Sequence, residues 1–200
     1  MGADSTERRT FSETRAQPDG RSDLRLIALI GEGDGAAFQE LYRKYQPRLA
    51  RFLFNLVRHP HLVEEVLDDT MMVVWERGGS FKGESKLSTW IFAIAYRKAM
   101  RALLRHDAPV EDVEAENRES GEANPEDEYG SSKVHGLLRK AMEELSPDHR
   151  AVVDLTYFHE LGYREIAEIL GCPVDTVKTR MFYARRHLRR CIEGELSDWV

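Results

Sequence analysis

Cysteine is scarce in this 200-residue chain: Cys172 and Cys191 are too few for a disulfide framework and lack the paired spacing of a zinc finger. They read as a turn-packing residue and an incidental thiol. Long apolar runs are missing as well, since residues 91–96 make up about a third of the ~20 residues needed to cross a bilayer. Residues 1–21 are polar, carry both signs of charge and lack the apolar segment of a secretory signal. These absences predict a protein of the reducing cytoplasm with no membrane insertion. No stretch alternates as a half-buried strand does, and no internal repeat is present. The glycine-rich segment 31–35, GEGDG, has no strand before it and no Gly-Lys-Ser/Thr after it, so it reads as a helix boundary and not a phosphate loop. His59, His61, Glu64, Glu65, Asp68 and Asp69 lie near one another, but there is no Glu-x-x-His pair and no second ligand-bearing helix. A helical metallohydrolase is thereby disfavoured, and no metal or other cofactor is expected.

What is present is 42% hydrophobic and 32% charged residues, enough to bury real cores. The net charge of −6 hides segments of opposite sign. Residues 107–130 hold ten acids against Arg118, a local charge of −9, and leave +3 for the rest of the chain. With few large apolar residues, Pro109 and Pro125, this segment cannot bury enough surface to fold, so 107–132 is expected to be a flexible acidic linker. On its N-terminal side, Phe38, Leu41, Tyr42, Tyr45, Leu49, Phe52, Leu53 and Leu56 step by three or four behind Asp34, a candidate N-cap. Val63, Val66, Leu67, Thr70, Met71 and Val74 form a second helical stripe that stops at Gly78 and Gly79. A third helix runs from Leu87 through Trp90, Ile91, Ile94, Ala95 and Ala99 to Leu103, with Ser85 or Ser88 available to cap it, and a short helix is expected near residues 23–30. Beyond the linker, Val134, Leu137, Leu138, Ala141, Met142 and Leu145 resume helical spacing, and Ser146-Pro147 supplies an N-cap with proline at the first helical position. The sequence predicts an all-α chain: a disordered tail 1–22, a three- to four-helix domain 23–106, the linker, a second helical domain 133–192 and a tail 193–200.

The segment 163–180, YREIAEILGCPVDTVKTR, has the grammar of a helix-turn-helix. Ala167 is small where two helices cross, Gly171 can take positive φ in the turn, and Pro173 suits the first turn of the second helix. With Val174 and Val177 facing inward, Asp175, Thr176, Lys178, Thr179, Phe182 and Arg186 remain on a surface that can enter a major groove. Residues 174–190, with Arg180 and Arg185 among six basic residues, carry +5. Such a strip binds phosphate by releasing counterions.

A helix-turn-helix alone also fits a regulator that never touches polymerase, and the remainder of the chain narrows the choice. The segments 38–45 (FQELYRKY), 63–75 (VEEVLDDTMMVVW) and 81–95 (FKGESKLSTWIFAIA) resemble region 2 of the extracytoplasmic-function (ECF) branch of the sigma-70 family. The segment 145–155 (LSPDHRAVVDL) and the helix-turn-helix resemble its region 4. The resemblance implies a factor without catalytic chemistry of its own. It would bind core RNA polymerase through the clamp coiled coil and the flap of the two large subunits, and promoter DNA both double-stranded and melted. An anti-sigma factor would be a further partner. Region 2 would meet the clamp through Glu65, Asp68, Asp69 and Met72. Its loop and last helix would hold the melted minus-ten element through Ser80, Phe81, Lys82, Lys86, Arg97, Lys98 and Arg101. Trp90 lies on the apolar stripe and reads as core. Region 4 would bind the minus-35 element through Asp175, Thr176, Lys178, Thr179, Arg180, Phe182, Arg185 and Arg186. The acidic linker reads equally well as a soluble tether or as an acidic strand for a channel meant for RNA.

Overall fold

The computed structural model describes residues 20–106 and 133–197, and all the regular elements among them are helical. The tail 1–19, the linker 107–132 and residues 198–200 lie outside the described residues. In chain order the helices are α1 (Gly20–Gly31), α2 (Gly35–Val57), α3 (Pro60–Arg77), a 3-10 turn (Gly78–Ser80), α4 (Leu87–His106), α5 (Lys133–Glu143), α6 (Pro147–Tyr157), α7 (Tyr163–Leu170) and α8 (Val174–Ser197). Among the described residues no helix is long and apolar enough to cross a membrane.

Asp34 caps α2 as its position suggests, its Oδ1 accepting from the Ala36 and Ala37 amides at 2.8 and 3.1 Å. Pro47 interrupts the interior of that helix and removes one hydrogen-bond donor. The helix continues because Leu41, Tyr45, Leu49, Phe52 and Leu53 on one face are fully buried. It ends where Arg58 turns to φ 64° and returns its amide to the Phe54 carbonyl. Asp23 of α1 is buried and accepts from Tyr45 Oη at 2.7 Å and from Lys44 Nζ, so α1 is locked across α2 by a charge that would otherwise be costly to bury. Burial, followed by the bond to Asp23, pushes the Tyr45 phenol far above its ordinary pKa.

Neither expected serine caps α4: Ser85 Oγ donates to the Lys86 carbonyl at 3.4 Å, and Ser88 lies inside the first turn. Ser146 does cap α6, accepting weakly from the His149 amide at 3.5 Å. Helix α8 continues through residues 193–197, beyond the expected boundary at 192, because no proline breaks it and Arg189 and Glu193 pair at 2.7 Å across one turn.

The backbones of α1 and the 3-10 turn nearly touch. A Cβ on Gly31 would sit 2.6 Å from the Gly79 Cα. Gly31→Ala is therefore expected to cost about 1–3 kcal/mol by overpacking. A chemical-denaturation midpoint equal to that of the parent would refute the close approach.

The helices on either side of the linker pack together along a seam. Helix α4 is buried at every position from Ile91 to Tyr96, because α2 and α3 cover one side and α7 the other. Asn55 Nδ2 of α2 donates to Asp154 Oδ1 of α6 at 2.6 Å. The His159 ring sits edge-on to Phe92 and Phe52, with centroids 4.8 and 6.0 Å away. Its Nε2 lies 3.2 Å from Asp154 Oδ2, but off the line of a hydrogen bond. Tyr96 Oη donates to Asp148, which also pairs with Arg180. Burial first, and then Asp148, raises the Tyr96 pKa. At the rim, Lys86 pairs with Glu165 at 2.8 Å and the Arg51 guanidinium lies 4.2 Å over the Phe158 ring.

Candidate nucleic-acid interface

The helix-turn-helix is built from α7, a turn and α8. Ile166, Ala167, Ile169 and Leu170 bury one face of α7. Gly171 closes the helix in the left-handed region at φ 64°, where its missing Cβ removes the strain an L-residue would suffer. Pro173 is the residue just before α8, not inside it, and its carbonyl accepts from the Thr176 and Val177 amides. Val177, Met181 and Ala184 are buried at spacings of four and three, which fixes the rotation of α8.

That rotation turns the expected DNA-contacting set outward in large part. Asp175, Lys178, Thr179, Phe182, Arg185 and Arg186 are exposed and Thr176 is half-buried. Phe182 shows 60% of its surface, a large apolar side chain held in water on a basic face. Lys178 meets Asp175 at 2.9 Å, and Arg185 Nε donates to Tyr157 Oη at 3.0 Å. Arg180 behaves differently: it turns inward to Asp148 and also approaches Cys172 Sγ at 3.8 Å. Its charge serves the seam in this arrangement, a partner that helical spacing within one segment could not reveal.

In the first group of helices, Ser80, Lys82, Lys86, Arg97 and Arg101 are exposed. Phe81 is half-buried, with its ring 5.4 Å from that of Trp90. Trp90 is itself half-buried against the core and not sealed within it. Phe81, Lys82 and Gly83 line a cavity of about 470 Å³ together with Leu24, Ile27, Gly78 and Gly79, a size suited to a small planar group. Lys98 pairs with Asp69 at 2.9 Å and Arg105 with Glu65 at 2.9 Å. Two of the acids expected to meet polymerase are thus covered by bases of α4. Glu64 and Asp68 stay exposed on α3, as does Met72 at 56%. Exposed pairs of this kind are worth about 0–1 kcal/mol, so a basic partner can exchange them.

Asn55, Asp154 and His159 carry the seam and were absent from the sequence-derived sites. The one local sign was the unbroken apolar run 91–96, longer than a one-sided helix needs. Glu144, His187 and Cys191 also converge, with ligand-type atoms within 4.8 Å of one another. The four-residue spacing of His187 and Cys191 was visible, but the approach of Glu144 from the α5–α6 junction was not.

Comparison with known proteins fixes the family. Residues 41–108 match the model described as sigma-70 region 2, and residues 135–188 match sigma-70 region 4. The chain is 32% identical over 174 residues to the ECF RNA polymerase sigma-E factor of Escherichia coli, covering 82% of this chain and 91% of that one. The sigma-E factor of Salmonella typhimurium gives the same figures. The RNA polymerase sigma-H factor of Pseudomonas aeruginosa is 27% identical over 186 residues, with 88% and 96% covered. The structure of the sigma factor RpoE in complex with the anti-sigma factor NepR, from Bartonella quintana, superimposes with a TM-score of 0.66 at 28% identity, covering 78% of this chain and 96% of that one. The region 2 match excludes a helix-turn-helix regulator with an unrelated helical partner. The chain belongs to the ECF branch of the sigma-70 family, the sigma factors that direct RNA polymerase to promoters.

Proposed function

We propose that the two halves of this sigma factor divide one promoter between them while both sit on core polymerase. Helix α8 binds the duplex minus-35 element through Asp175, Thr176, Lys178, Thr179, Phe182, Arg185 and Arg186. Arg180 joins them once it leaves Asp148. The loop and the basic face of α4 hold the melted minus-ten element through Ser80, Lys82, Lys86, Arg97, Lys98 and Arg101. Phe81 and the cavity beside it accept an unstacked base. Glu65, Asp68, Asp69 and Met72 meet the polymerase clamp, and the first helices of region 4 meet the flap. The observation that carries the reading is α8 itself, whose buried Val177, Met181 and Ala184 hold a basic, aromatic face in solvent.

The factor performs no covalent chemistry and works in the cytoplasm. Melting comes from binding energy, because holding unpaired bases shifts the duplex equilibrium toward the open form. An anti-sigma factor is a further partner, supported by the structural relative crystallised with one.

Engagement requires the halves to part. The two elements lie about 25 base pairs apart, about 85 Å at ~3.4 Å per pair. A compact body of 200 residues is roughly 40 Å across. The packed arrangement therefore belongs to the factor before it reaches promoter DNA, and the seam competes with binding. Co-purification with core polymerase and promoter-dependent run-off transcription test the reading; failure of both with an active core would sink it. Within it, Arg186→Ala should lower minus-35 binding and reduce the salt slope by about 1. An unchanged slope would remove Arg186 from the phosphate contacts.

A further inference from the structure

Behind the recognition face, three different donor groups meet at one point. His187 and Cys191 lie one turn apart on α8, and Glu144 reaches them from the junction of α5 and α6. His187 Nε2 is 3.2 Å from Glu144 Oε2 and 3.4 Å from Cys191 Sγ, and Cys191 Sγ is 3.6 Å from Glu144 Oε2. A tetrahedral ion with metal–nitrogen and metal–oxygen bonds of about 2.0–2.1 Å and a metal–sulfur bond of about 2.3 Å has edges of about 3.3 Å for nitrogen–oxygen and about 3.5 Å for the two involving sulfur. The three separations match those edges. We propose that Glu144, His187 and Cys191 form a three-ligand site for a borderline-soft divalent cation of the zinc class.

The donor set selects that class, because thiolate and imidazole disfavour magnesium and calcium while a carboxylate completes a mixed zinc shell. Glu144 and His187 also line a cavity of about 330 Å³ with Ser146, His149 and Arg186, which leaves room for a fourth ligand. Loading the site releases the Cys191 thiol proton, so that thiolate and carboxylate together cancel the charge of the ion. Arg186 and Arg190 stand nearby and oppose a cation. Arg190 Nη2 is 3.5 Å from His187 Nδ1. When Nε2 binds metal, Nδ1 carries the ring proton, and a donor such as Arg190 must turn away. The loaded site clamps the C-terminal half of α8 to the α5–α6 junction. It thereby stiffens the helix that carries Arg185 and Arg186.

Cobalt(II) titration of the full chain is the test, since tetrahedral cobalt with one thiolate shows visible ligand-field bands and a near-ultraviolet charge-transfer band. One equivalent is expected to give both, and zinc is expected to bleach them. Cys191→Ser should abolish the charge-transfer band, whereas Cys172→Ser should leave it intact. Arg190→Ala should tighten binding several-fold, an outcome that a merely hydrogen-bonded cluster does not produce. Absence of tetrahedral bands in the parent, or bands that survive Cys191→Ser, would overturn the site.

Discussion

Asn55→Asp is expected to part the two groups of helices while leaving their helix content unchanged. In the parent, Asn55 Nδ2 donates to Asp154 Oδ1 at 2.6 Å, and Asp154 is almost fully buried. Aspartate at 55 replaces that donor with a second carboxylate facing the first. At a separation of about 4 Å and an effective dielectric of about 20, two like charges repel by about 4 kcal/mol. His159 Nε2, 3.2 Å from Asp154 Oδ2, already faces one carboxylate, and Asn55→Asp adds a second without bringing a new donor. Small-angle scattering should show a radius of gyration several Å above that of the parent. Circular dichroism should not change. Asn55→Ala, which removes one bond without adding charge, should fall between the two. If the seam competes with polymerase, the aspartate variant should also bind core more tightly, because the competent form is no longer a minor fraction. Equal scattering from parent and variant, at equal helix content, would mean that the pair does not control the seam.

The elements of this fold were legible where each could be specified within one stretch of chain. The stripes of α2 and α3 and the caps at Asp34 and Ser146 follow from local spacing and local hydrogen bonding, as does the left-handed Gly171. Helix-turn-helix rotation was legible for the same reason, since the spacing of Val177, Met181 and Ala184 marks the buried face of α8 within one stretch of chain. Asn55 and Asp154, by contrast, are 99 residues apart and meet across the seam, so no periodic signal marks them. Arg180 shows the cost of reading charge without partners: it counts toward the basic strip, yet Asp148 holds it inward. Lys98 likewise counts as a base for DNA but pairs with Asp69 of α3. The outward faces of α3, α4 and α8 were legible; the present pairing of individual charges was not.

Replacing Lys178, Arg185 and Arg186 together with alanine should all but remove minus-35 binding while leaving the fold intact. All three are exposed on α8, and their nearest partners, Asp175 and Tyr157, are at the surface as well. Loss of such groups changes stability by less than about 0.5 kcal/mol. Their contribution to DNA binding is larger, because each contact releases a condensed counterion. At about 0.9 per phosphate contact, the log-log salt slope of holoenzyme binding to a selected promoter fragment should flatten by about 3. At about 1 kcal/mol per contact the affinity should fall more than about 100-fold, since ~1.4 kcal/mol is a factor of ten. Binding to core polymerase should not change, because Glu65, Asp68, Asp69 and Met72 lie on α3, away from α8. A drop in affinity at unchanged slope would show that the three residues act by shaping α8 and not by touching phosphate. A matching loss of core binding would show that α8 faces the polymerase and not the promoter.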